Sequence, residues 1–395
     1  MSTHRSQRFA TRAVHAGTAP PVDQVPASVP IYQTSTWRFD TSDDFAAVTS
    51  SERPGHVYGR GYGNPTVEAL EAAVASLEET EAAYGFSSGM AAIHATVTTL
   101  AQAGDRIVAS RAIYGGTYSL FASLLPRYGI EVSFVDINDE AQVASALPGA
   151  RLLYVETIAN PLITVADLDR LGQLARQAGA VAVVDNTFAS PYLCAPARYG
   201  FDLVVHSATK YLGGHSDLVG GVVATSASWR RAVRATTLDV GGAMAPFEAW
   251  LCLRGLATLA LRMERHCATA AALAELLAAD SRVTATHYPG LAGDPGHEVA
   301  SRQLRAGGGM LAFELEGGLE AGARFCDSLE VAWIGASLGG PHTLVAHPAS
   351  TTHRQLDPEA RRAAGLADGL IRVSAGLEDP DDLLADFSQA LDKAT

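Results

Sequence analysis

The sequence predicts an α/β protein, with a mostly parallel β-sheet in a large domain and a smaller C-terminal α/β domain. Two observations support this class. Between residues 106 and 224, short apolar runs alternate with longer amphipathic segments, the pattern of a parallel sheet covered by helices. From Pro246 the pattern changes to a long helical run, which further strands and helices follow. The 395 residues suffice for two or three domains at a typical ~150 residues each.

The elements follow in order along the chain. The first 60 residues are rich in Pro and Gly and show little periodicity, so they predict an arm that contacts a neighbouring subunit. We expect the large domain to cover residues 61–246 and the C-terminal domain residues 247–395. The predicted strands are 106–109, 131–135, 151–156, 180–185, 202–206, 218–224, 309–314 and 369–374. The predicted helices include 89–101, 117–127, 167–177 and one long helix over 246–279.

Charge and composition exclude several classes of protein. The chain has 29 Lys and Arg against 42 Asp and Glu, a net charge of −13, whereas a nucleic-acid binder needs a basic face. Its 48% hydrophobic and 18% charged residues are too apolar for a disordered chain. No apolar run approaches the ~18 residues that cross a bilayer, and no secretory signal is apparent. We therefore expect a soluble cytoplasmic protein that binds neither nucleic acid nor membrane.

The cysteines predict neither disulfides nor a metal site. There are four, at widely separated positions without a CxxC pair: Cys194, Cys252, Cys267 and Cys326.

Lysine is scarcer still, because it occurs only at Lys210 and Lys393, and the other 27 cations are arginines. An arginine stays protonated and cannot act as an amine nucleophile. Lys393 reads as a solvated cation near the C-terminus. Lys210 lies between an apolar run and glycines, where desolvation would lower the pKa of an amine.

Asp185 and Lys210 form a candidate catalytic pair. Asp185 ends the apolar strand AVAVVD, and α/β proteins bind ligands at the carboxyl ends of such strands. Taken alone, it is more typical of an aspartate that caps the next turn. Lys210 follows 25 residues later, again just past a strand. A pyridoxal phosphate enzyme needs this pair, because the lysine holds the aldehyde as an imine and the aspartate keeps the pyridine nitrogen protonated.

The cofactor's phosphate would need hydrogen-bond donors. Ser88, Gly89 and Met90 open a predicted helix, whose first N–H groups and dipole favour an anion. Ser207 and Thr209 flank Lys210 and offer hydroxyl groups. By itself, a serine before a helix is usually only an N-cap. The chain has neither a GxGxxG nor a GxxxxGK[ST] motif.

At this point the residues resemble a known family. The chain carries, in order, YGRGYGNPT, GFSSGMAAI, YVETIANP, VVDNTFASPY, SATKYLGGHSD and IRVSAGLED. These motifs closely resemble those of the Cys/Met-metabolism (trans-sulfuration) family of fold-type I pyridoxal phosphate enzymes. The resemblance extends from residue 11 to about residue 391. It implies a seven-stranded, mostly parallel sheet, pyridoxal 5'-phosphate as cofactor, and a homotetramer composed of dimers that share active sites.

The resemblance also implies a role for each matching residue. Lys210 is similar to the Schiff-base lysine and Asp185 to the partner of the pyridine nitrogen. Tyr114 matches the tyrosine that stacks on the cofactor and assists proton transfer to the leaving group. Arg372 matches the arginine that grips the substrate carboxylate in a bidentate pair. The other matches are Ser88, Gly89, Met90, Ser207 and Thr209 at the phosphate, Tyr58 and Arg60 reaching it from the neighbouring subunit, Asn160 near the phenolic oxygen, and Ser337 beside the substrate carboxylate.

The family's members differ in the reaction that follows. γ-Elimination releases a 2-oxo acid and ammonia, whereas γ-replacement adds a thiol to the same unsaturated intermediate. Methionine γ-lyases usually have a cysteine at the position of Gly116 and a lysine at that of Leu238, although Asp239 matches. Cystathionine-handling members usually have a glutamate at the position of Ala336, and its loss removes a charge pair with that ligand.

We therefore expect a carbon–sulfur lyase that carries out γ-elimination on a methionine-like or homocysteine-like substrate and yields 2-oxobutanoate, ammonia and a thiol. The alternatives are γ-replacement on an O-acylhomoserine, cystathionine γ-lyase activity, and a non-catalytic scaffold. The presence of Lys210, Asp185 and Arg372 together argues against the scaffold.

Overall fold

The computed structural model describes residues 7–15, 17, 26–351 and 366–394. The chain divides into two compact units. The first comprises Met1–Thr157, Asp167–Gly213 and Asp217–Ala260, and the second comprises Ile158–Ala166, Gly214–Ser216 and Leu261–Thr395.

Helices and strands alternate through most of the described chain. The helices are α1 (Phe9–His15), α2 (Ser42–Thr49), α3 (Pro65–Leu77), α4 (Gly89–Leu100), α5 (Gly115–Ser119), α6 (Glu140–Ala146), α7 (Leu168–Ala178), α8 (Ser190–Leu193), α9 (Ala227–Val240), α10 (Pro246–Leu256), α11 (Leu259–Ala279), α12 (His297–Gln303), α13 (Gly318–Asp327) and α14 (Pro380–Ala394). The strands are β1 (Ala82–Phe86), β2 (Arg106–Ser110), β3 (Glu131–Val135), β4 (Leu152–Glu156), β5 (Ile158–Ala159), β6 (Thr164–Val165), β7 (Val181–Asp185), β8 (Leu203–Ser207), β9 (Gly221–Thr225), β10 (Val283–His287), β11 (Met310–Leu315), β12 (Trp333–Ile334), β13 (Leu344–Ala346) and β14 (Leu370–Ser374).

The first unit contains a seven-stranded sheet in the order β1-β9-β8-β7-β4-β2-β3. Strands β8, β7, β4, β2 and β3 are parallel, whereas β9 runs antiparallel to both β8 and β1. All five residues of β4 are buried, since helices cover both faces of a parallel sheet and its strands become continuously apolar. The predicted fold class, with a mostly parallel seven-stranded sheet, is confirmed.

The second unit contains a five-stranded sheet in the order β10-β11-β14-β13-β12, antiparallel except for the β12–β13 pair. A separate pair is formed by β5 and β6. The core of the second unit includes Phe313, Phe325 and Phe387. The ring centroids of Phe313 and Phe325 are 5.3 Å apart in an edge-to-face contact. This packing confirms the smaller C-terminal α/β domain as an independent core.

Two helices differ from the predictions. The run 246–279 is two helices, α10 and α11, because the N–H of Thr258 turns back to the carbonyl of Gly255 at 3.2 Å and ends the regular pattern. The run 117–127 is also divided, into α5, a π-helical turn at Leu120–Leu124 and a 3₁₀ turn at Leu125–Tyr128. Pro126 lies within that last turn and has no N–H to continue an α-helix.

The first unit extends to Ala260, beyond the predicted limit at residue 246, because α10 packs against α3 within it. The N-terminal residues also contact this unit, since α1 packs against α3 and Arg12 donates to the carbonyl of Ser76. The contact of this arm with a neighbouring subunit stays a prediction. Among the described residues, no helix has the length and apolar character that crossing a bilayer requires.

Candidate active site

Side chains that could serve chemistry lie at the carboxyl edge of the first sheet. Glu156 and Asp185 are the last residues of the neighbouring strands β4 and β7 and are direct partners in the register. Ser207 ends the next strand, β8. Because these three strands are parallel, their ends meet at one edge, where α/β proteins bind ligands. Sequence reasoning predicted Asp185 and Ser207 there, and it missed Glu156.

The carboxyl of Asp185 is held by the turn that follows β7. Its Oδ1 accepts the N–H of Thr187 at 2.9 Å, and its carbonyl accepts the N–H of Thr157 at 3.0 Å. Burial raises the pKa of Asp185, while the hydrogen bonds from Thr187 and the nearby His206 ring act in the opposite direction. Burying a carboxylate costs free energy, and a positively charged partner beside Asp185 would offset that cost.

Lys210 follows β8 and lies in the turn beside this edge. Its backbone N–H donates to the carbonyl of Ser207 at 3.2 Å, and the residue is half-buried. The N–H of Ser207 in turn donates to the Thr187 hydroxyl at 2.8 Å. The structure therefore ties the segment that carries Lys210 to the segment that follows Asp185.

The N-terminus of α4 lies against the end of β8. Ser88 is the N-cap, and its hydroxyl accepts the N–H of Ala91 at 3.1 Å. The N–H groups of Gly89 and Met90 have no acceptor within the described part of the chain. A Cβ on Gly89 would lie 2.9 Å from the Cβ of Ser207, so only glycine allows this close approach. The structure thus brings Ser207 to the predicted phosphate site.

Thr209 makes a different contact. Its hydroxyl donates to the carbonyl of Gly220 at 3.3 Å and accepts the N–H of Gly220 at 3.0 Å. These bonds hold the loop before β9, and a hydroxyl oxygen keeps a second lone pair after them. The predicted contact of Thr209 with the phosphate stays a prediction.

Tyr114 lies beside the same helix end. Its N–H donates to Oε1 of Glu156 at 2.6 Å, and 52% of its surface is exposed. A Cβ on Gly116 would lie 2.5 Å from Cε1 of Tyr114 and 3.2 Å from the sulfur of Met90. The tyrosine ring therefore lies over residue 116, next to Met90. A cavity of about 310 Å³ opens here, lined by Met90, Gly116, Ser119, Leu120, Ser123, Leu124 and Arg127.

Tyr58 and Arg60 have other neighbours in the single chain. Tyr58 forms a β-bridge with Thr36 and is 46% exposed. The guanidinium of Arg60 donates to the carbonyl of Leu238. In the part of the chain that the structure describes, neither side chain hydrogen-bonds to the predicted phosphate residues. Their contribution to a neighbouring subunit stays a prediction.

The second unit brings together three predicted substrate residues. Arg372 lies in β14, where its register partners are Ala312 of β11 and Ala346 of β13. Its Nη1 donates to Oδ1 of Asn160 at 3.2 Å, and its Nη2 donates to the carbonyl of Ser337 at 3.0 Å. These bonds fix the orientation of the planar guanidinium, which a bidentate pair with a carboxylate requires.

The buried hydroxyl of Tyr154 is a further feature that the sequence reasoning missed. Tyr154 lies two residues before Glu156, and it is fully buried with its ring edge-to-face on Phe121. Burial, with the nearby carboxyls of Asp185 and Glu156, raises the pKa of Tyr154 well above its usual value. The hydroxyl therefore stays protonated. Like Asp185, Glu156 is a polar residue at the end of an apolar run, and that pattern could have found it.

Comparison with known proteins identifies the family. The model of the Cys/Met metabolism PLP-dependent enzymes matches residues 10–392. The chain belongs to this family. It is 44% identical to an L-methionine gamma-lyase of Pseudomonas putida over 97% of each chain. It is also 41% identical to a cystathionine gamma-lyase of Bacillus subtilis strain 168, over 97% of this chain and 98% of that protein.

Solved structures agree with this assignment. The cystathionine gamma synthase of Xanthomonas oryzae pv. oryzae, in complex with aminoacrylate and cysteine, superposes with a TM-score of 0.92 at 39% identity over 98% of each chain. Pyridoxal 5'-phosphate is therefore the cofactor of this member of the family, as the sequence predicted. The residues present fit it, because the buried Asp185 suits a protonated ring nitrogen and the α4 N-terminus suits a phosphate.

Proposed function

We propose that the chain is a pyridoxal phosphate-dependent carbon–sulfur lyase that carries out γ-elimination on methionine or a similar sulfur amino acid. The products are 2-oxobutanoate, ammonia and a thiol. The observation that carries this proposal is the arrangement around Ser207 at the sheet edge. Ser207 hydrogen-bonds to the backbone of Lys210 and to Thr187, which follows Asp185, and it lies against Gly89 at the start of α4. Six relatives named L-methionine gamma-lyase, 41–44% identical over 97–98% of this chain, support this choice of reaction.

Lys210, Asp185 and the start of α4 are proposed to hold the cofactor. Lys210 would hold the cofactor covalently through its Nζ, and Asp185 would pair with the ring nitrogen. The N–H groups of Gly89 and Met90, with the hydroxyls of Ser88, Ser207 and Thr209, bind the phosphate. Bound there, the cofactor supplies an electron-withdrawing ring that stabilises negative charge at the substrate Cα.

The chain's own residues then bind the substrate and move protons. Arg372, oriented by Asn160 and Ser337, binds the α-carboxylate. The Nζ of Lys210, when free of the cofactor, would take the proton from Cα. A second proton would leave Cβ as the sulfur departs, and one water would be consumed when the 2-oxo acid and ammonia are released. The hydroxyl of Tyr114 donates a proton to the departing sulfur, which makes the thiol a better leaving group.

The assembly and location are also proposed. We place Tyr58 and Arg60 at the phosphate of a neighbouring subunit, within a homotetramer made of two dimers. The 46% exposure of Tyr58 is consistent with a side chain that a second subunit covers. We place the enzyme in the cytoplasm, in keeping with four cysteines that are buried and free of disulfides in the structure.

A product assay tests the reaction. The purified enzyme is incubated with methionine, homocysteine, cystathionine and O-acetyl- or O-succinylhomoserine, each with and without cysteine. We expect 2-oxobutanoate from methionine or homocysteine without added thiol. The variant Lys210→Ala is expected to lose this activity and the visible absorption band together. A thioether formed only from an acylated homoserine would refute the lyase assignment.

The main alternative is γ-replacement on an O-acylhomoserine. It is favoured by the close structural similarity to a cystathionine gamma synthase and by Gly116 and Leu238, which differ from the residues usual in methionine γ-lyases. The same assay separates the two reactions, because γ-replacement needs the added thiol. Cystathionine γ-lyase activity would appear as 2-oxobutanoate and cysteine from cystathionine.

A further inference from the structure

We propose that Glu156 is a positioning residue, which holds Tyr114 where its hydroxyl can reach the departing sulfur. This inference rests on the proposed function, in which Tyr114 is the proton donor. Glu156 ends β4 and is only 4% exposed, and its Oε1 accepts the N–H of Tyr114 at 2.6 Å. A hydrogen bond whose acceptor is an ionised carboxylate is about twice as strong as a neutral one.

The segment around Tyr114 is weakly held in other respects. Tyr114 precedes α5, a helix of five residues with no side-chain cap, and two glycines follow it directly. Half of the tyrosine is exposed, so packing alone does not fix its ring. Ile113 and Thr117 are buried on either side of it. The bond to Glu156 fixes the backbone of Tyr114 between these two buried residues.

The hydrogen bond between Tyr114 and Glu156 matters for the site because Glu156 lies beside Asp185 in the sheet. In the register of the sheet, Glu156 is the partner of Asp185, which is proposed to pair with the cofactor's ring nitrogen. Tyr114 is thereby attached to the strand next to Asp185. Its ring lies over Gly116 beside Met90, at the proposed phosphate site. The same sheet edge therefore sets the positions of the proton donor and of the cofactor.

A different role for Glu156 would act through its charge. Its carboxyl lies near Tyr154 as well as Asp185, and both carboxyls raise the pKa of that tyrosine. A charge role and a positioning role make opposite predictions for Glu156→Gln. Glutamine keeps an oxygen that accepts the N–H of Tyr114 but removes the charge. Glu156→Ala removes both the acceptor oxygen and the charge. Glu156→Asp keeps the charge, but its shorter side chain moves the oxygen away from the N–H of Tyr114.

Hydrogen exchange of the cofactor-loaded enzyme tests the contact itself. We expect faster exchange of the Tyr114 amide, in peptides covering residues 111–119, in Glu156→Ala and Glu156→Asp. Glu156→Gln should exchange as the wild type does. Glu131→Gln, at an exposed position that begins β3, is the control. Unchanged exchange in Glu156→Asp would overturn the proposal, and this measurement is independent of which reaction the enzyme catalyses.

Kinetics test the consequence. Misplacing a reacting group by about 1 Å costs up to roughly 100-fold in rate, so we expect Glu156→Asp and Glu156→Ala to lower kcat by about 10- to 100-fold. The KM and the visible absorption band should stay near wild type, and Glu156→Gln should retain kcat within about threefold. In a Tyr114→Phe background, Glu156→Asp should add little.

Three results would overturn the positioning role: a Glu156→Gln variant as slow as Glu156→Asp, a full effect of Glu156→Asp in the Tyr114→Phe background, or loss of the absorption band. If Glu156→Ala fails to fold, the Gln and Asp variants still decide. A wild-type enzyme without lyase activity would contradict the proposed function instead, while the exchange result would stand.

Discussion

Gly116 provides the space that the ring of Tyr114 occupies. A Cβ at this position would lie 2.5 Å from the ring and 3.2 Å from the sulfur of Met90, so any larger residue must displace one of them. At the scale of single residues, the missing side chain at Gly116 and the hydrogen bond that Tyr114 donates to Glu156 together set where the proposed proton donor lies.

Gly116→Cys should therefore move the tyrosine ring and slow the reaction. We expect kcat to fall by about tenfold or more, because the donor is displaced from the sulfur that it protonates. The KM and the product ratio across methionine, homocysteine and O-acylhomoserines should change as well. Steady-state kinetics with each substrate measures these effects. Gly115→Ala is a matched control, since a Cβ there has no atom within 4 Å, and an equal loss in both variants would contradict the steric argument.

At the scale of elements, a buried polar cluster joins the end of α3 to β7 and β8. Oε1 of Glu78 accepts a hydrogen bond from the side-chain amide of Asn186 at 2.8 Å and lies 2.6 Å from Nε2 of His206. All three side chains are fully buried. The Thr157 hydroxyl donates to Asn186 at 2.7 Å, so the residue directly after Asp185 is held by two neighbouring elements.

Glu78→Ala should destabilise the first unit strongly. Removing the Glu78 side chain leaves the buried amide of Asn186 and the buried ring of His206 without this hydrogen-bond partner, and each buried polar group left unsatisfied costs about 1–3 kcal/mol. Urea unfolding followed by circular dichroism measures the free energy of unfolding. Glu298→Ala removes an exposed pair with Arg302 and is the control, with little change expected. A loss in Glu78→Ala no larger than in the control would contradict this account.

A second element-scale contact makes stability depend on pH. His266 of α11 is fully buried, and its Nδ1 lies 2.7 Å from the carbonyl of Ala375, just after β14. Burial lowers the pKa of His266 to about 4. The folded state therefore holds this ring neutral, whereas the unfolded state binds a proton below an ordinary pKa of 6.5. The contribution of the neutral His266 ring to the free energy of unfolding is present above pH 6.5 and is lost as the pH falls toward 4.

Stability should accordingly decrease in acid through His266. Linkage gives a loss of about 2 kcal/mol between pH 7 and pH 5 from this group alone. His266→Asn keeps an amide N–H that can donate to the Ala375 carbonyl but does not titrate. The free energies of unfolding of wild type and variant, measured at both pH values, should converge toward pH 5. Parallel pH dependences in the two proteins would show that another group is responsible.

At the scale of the whole molecule, Tyr58 and Arg60 are the residues that we propose to act at the site of a second copy of the chain. Arg60 contacts the carbonyl of Leu238 in its own chain, and Tyr58 is half-exposed. In a symmetric dimer, each copy would donate this pair to the site of the other. The proposal therefore predicts that two different inactive chains can together make an active site.

Mixing Arg60→Ala with Lys210→Ala tests this sharing. After the subunits exchange, half of the dimers are mixed, and each holds one site with both residues intact, so we expect about a quarter of wild-type activity. The recovered activity is measured by formation of 2-oxobutanoate. Mixing Asp185→Ala with Lys210→Ala should recover nothing, because both residues lie in one chain's site. No recovery in the first mixture would contradict a shared site.

The sequence by itself determined the fold class, most strands of the first sheet and the family. Continuous apolar runs such as VAVVD predict buried strands because the pattern arises from the same burial that forms the sheet. Strand β1 escaped prediction because AAYGF is short and contains small residues, and the two-residue strand β12 has no periodicity to detect. The break between α10 and α11 was also missed, because both helices are apolar and only a turn separates them.

For the candidate site, the sequence supplied Lys210, Asp185 and Arg372 through their types and motifs, whereas the tertiary structure decided their neighbours. Glu156 lies 42 residues from Tyr114 along the chain, and the parallel pairing of β2 with β4 brings the segments at the ends of these strands close enough for a hydrogen bond. Asn160 and Arg372 are separated by 212 residues and meet only through the tertiary packing of the second unit. Local patterns report burial, but contacts between distant residues depend on how strands pair and helices pack, which no short stretch of sequence encodes.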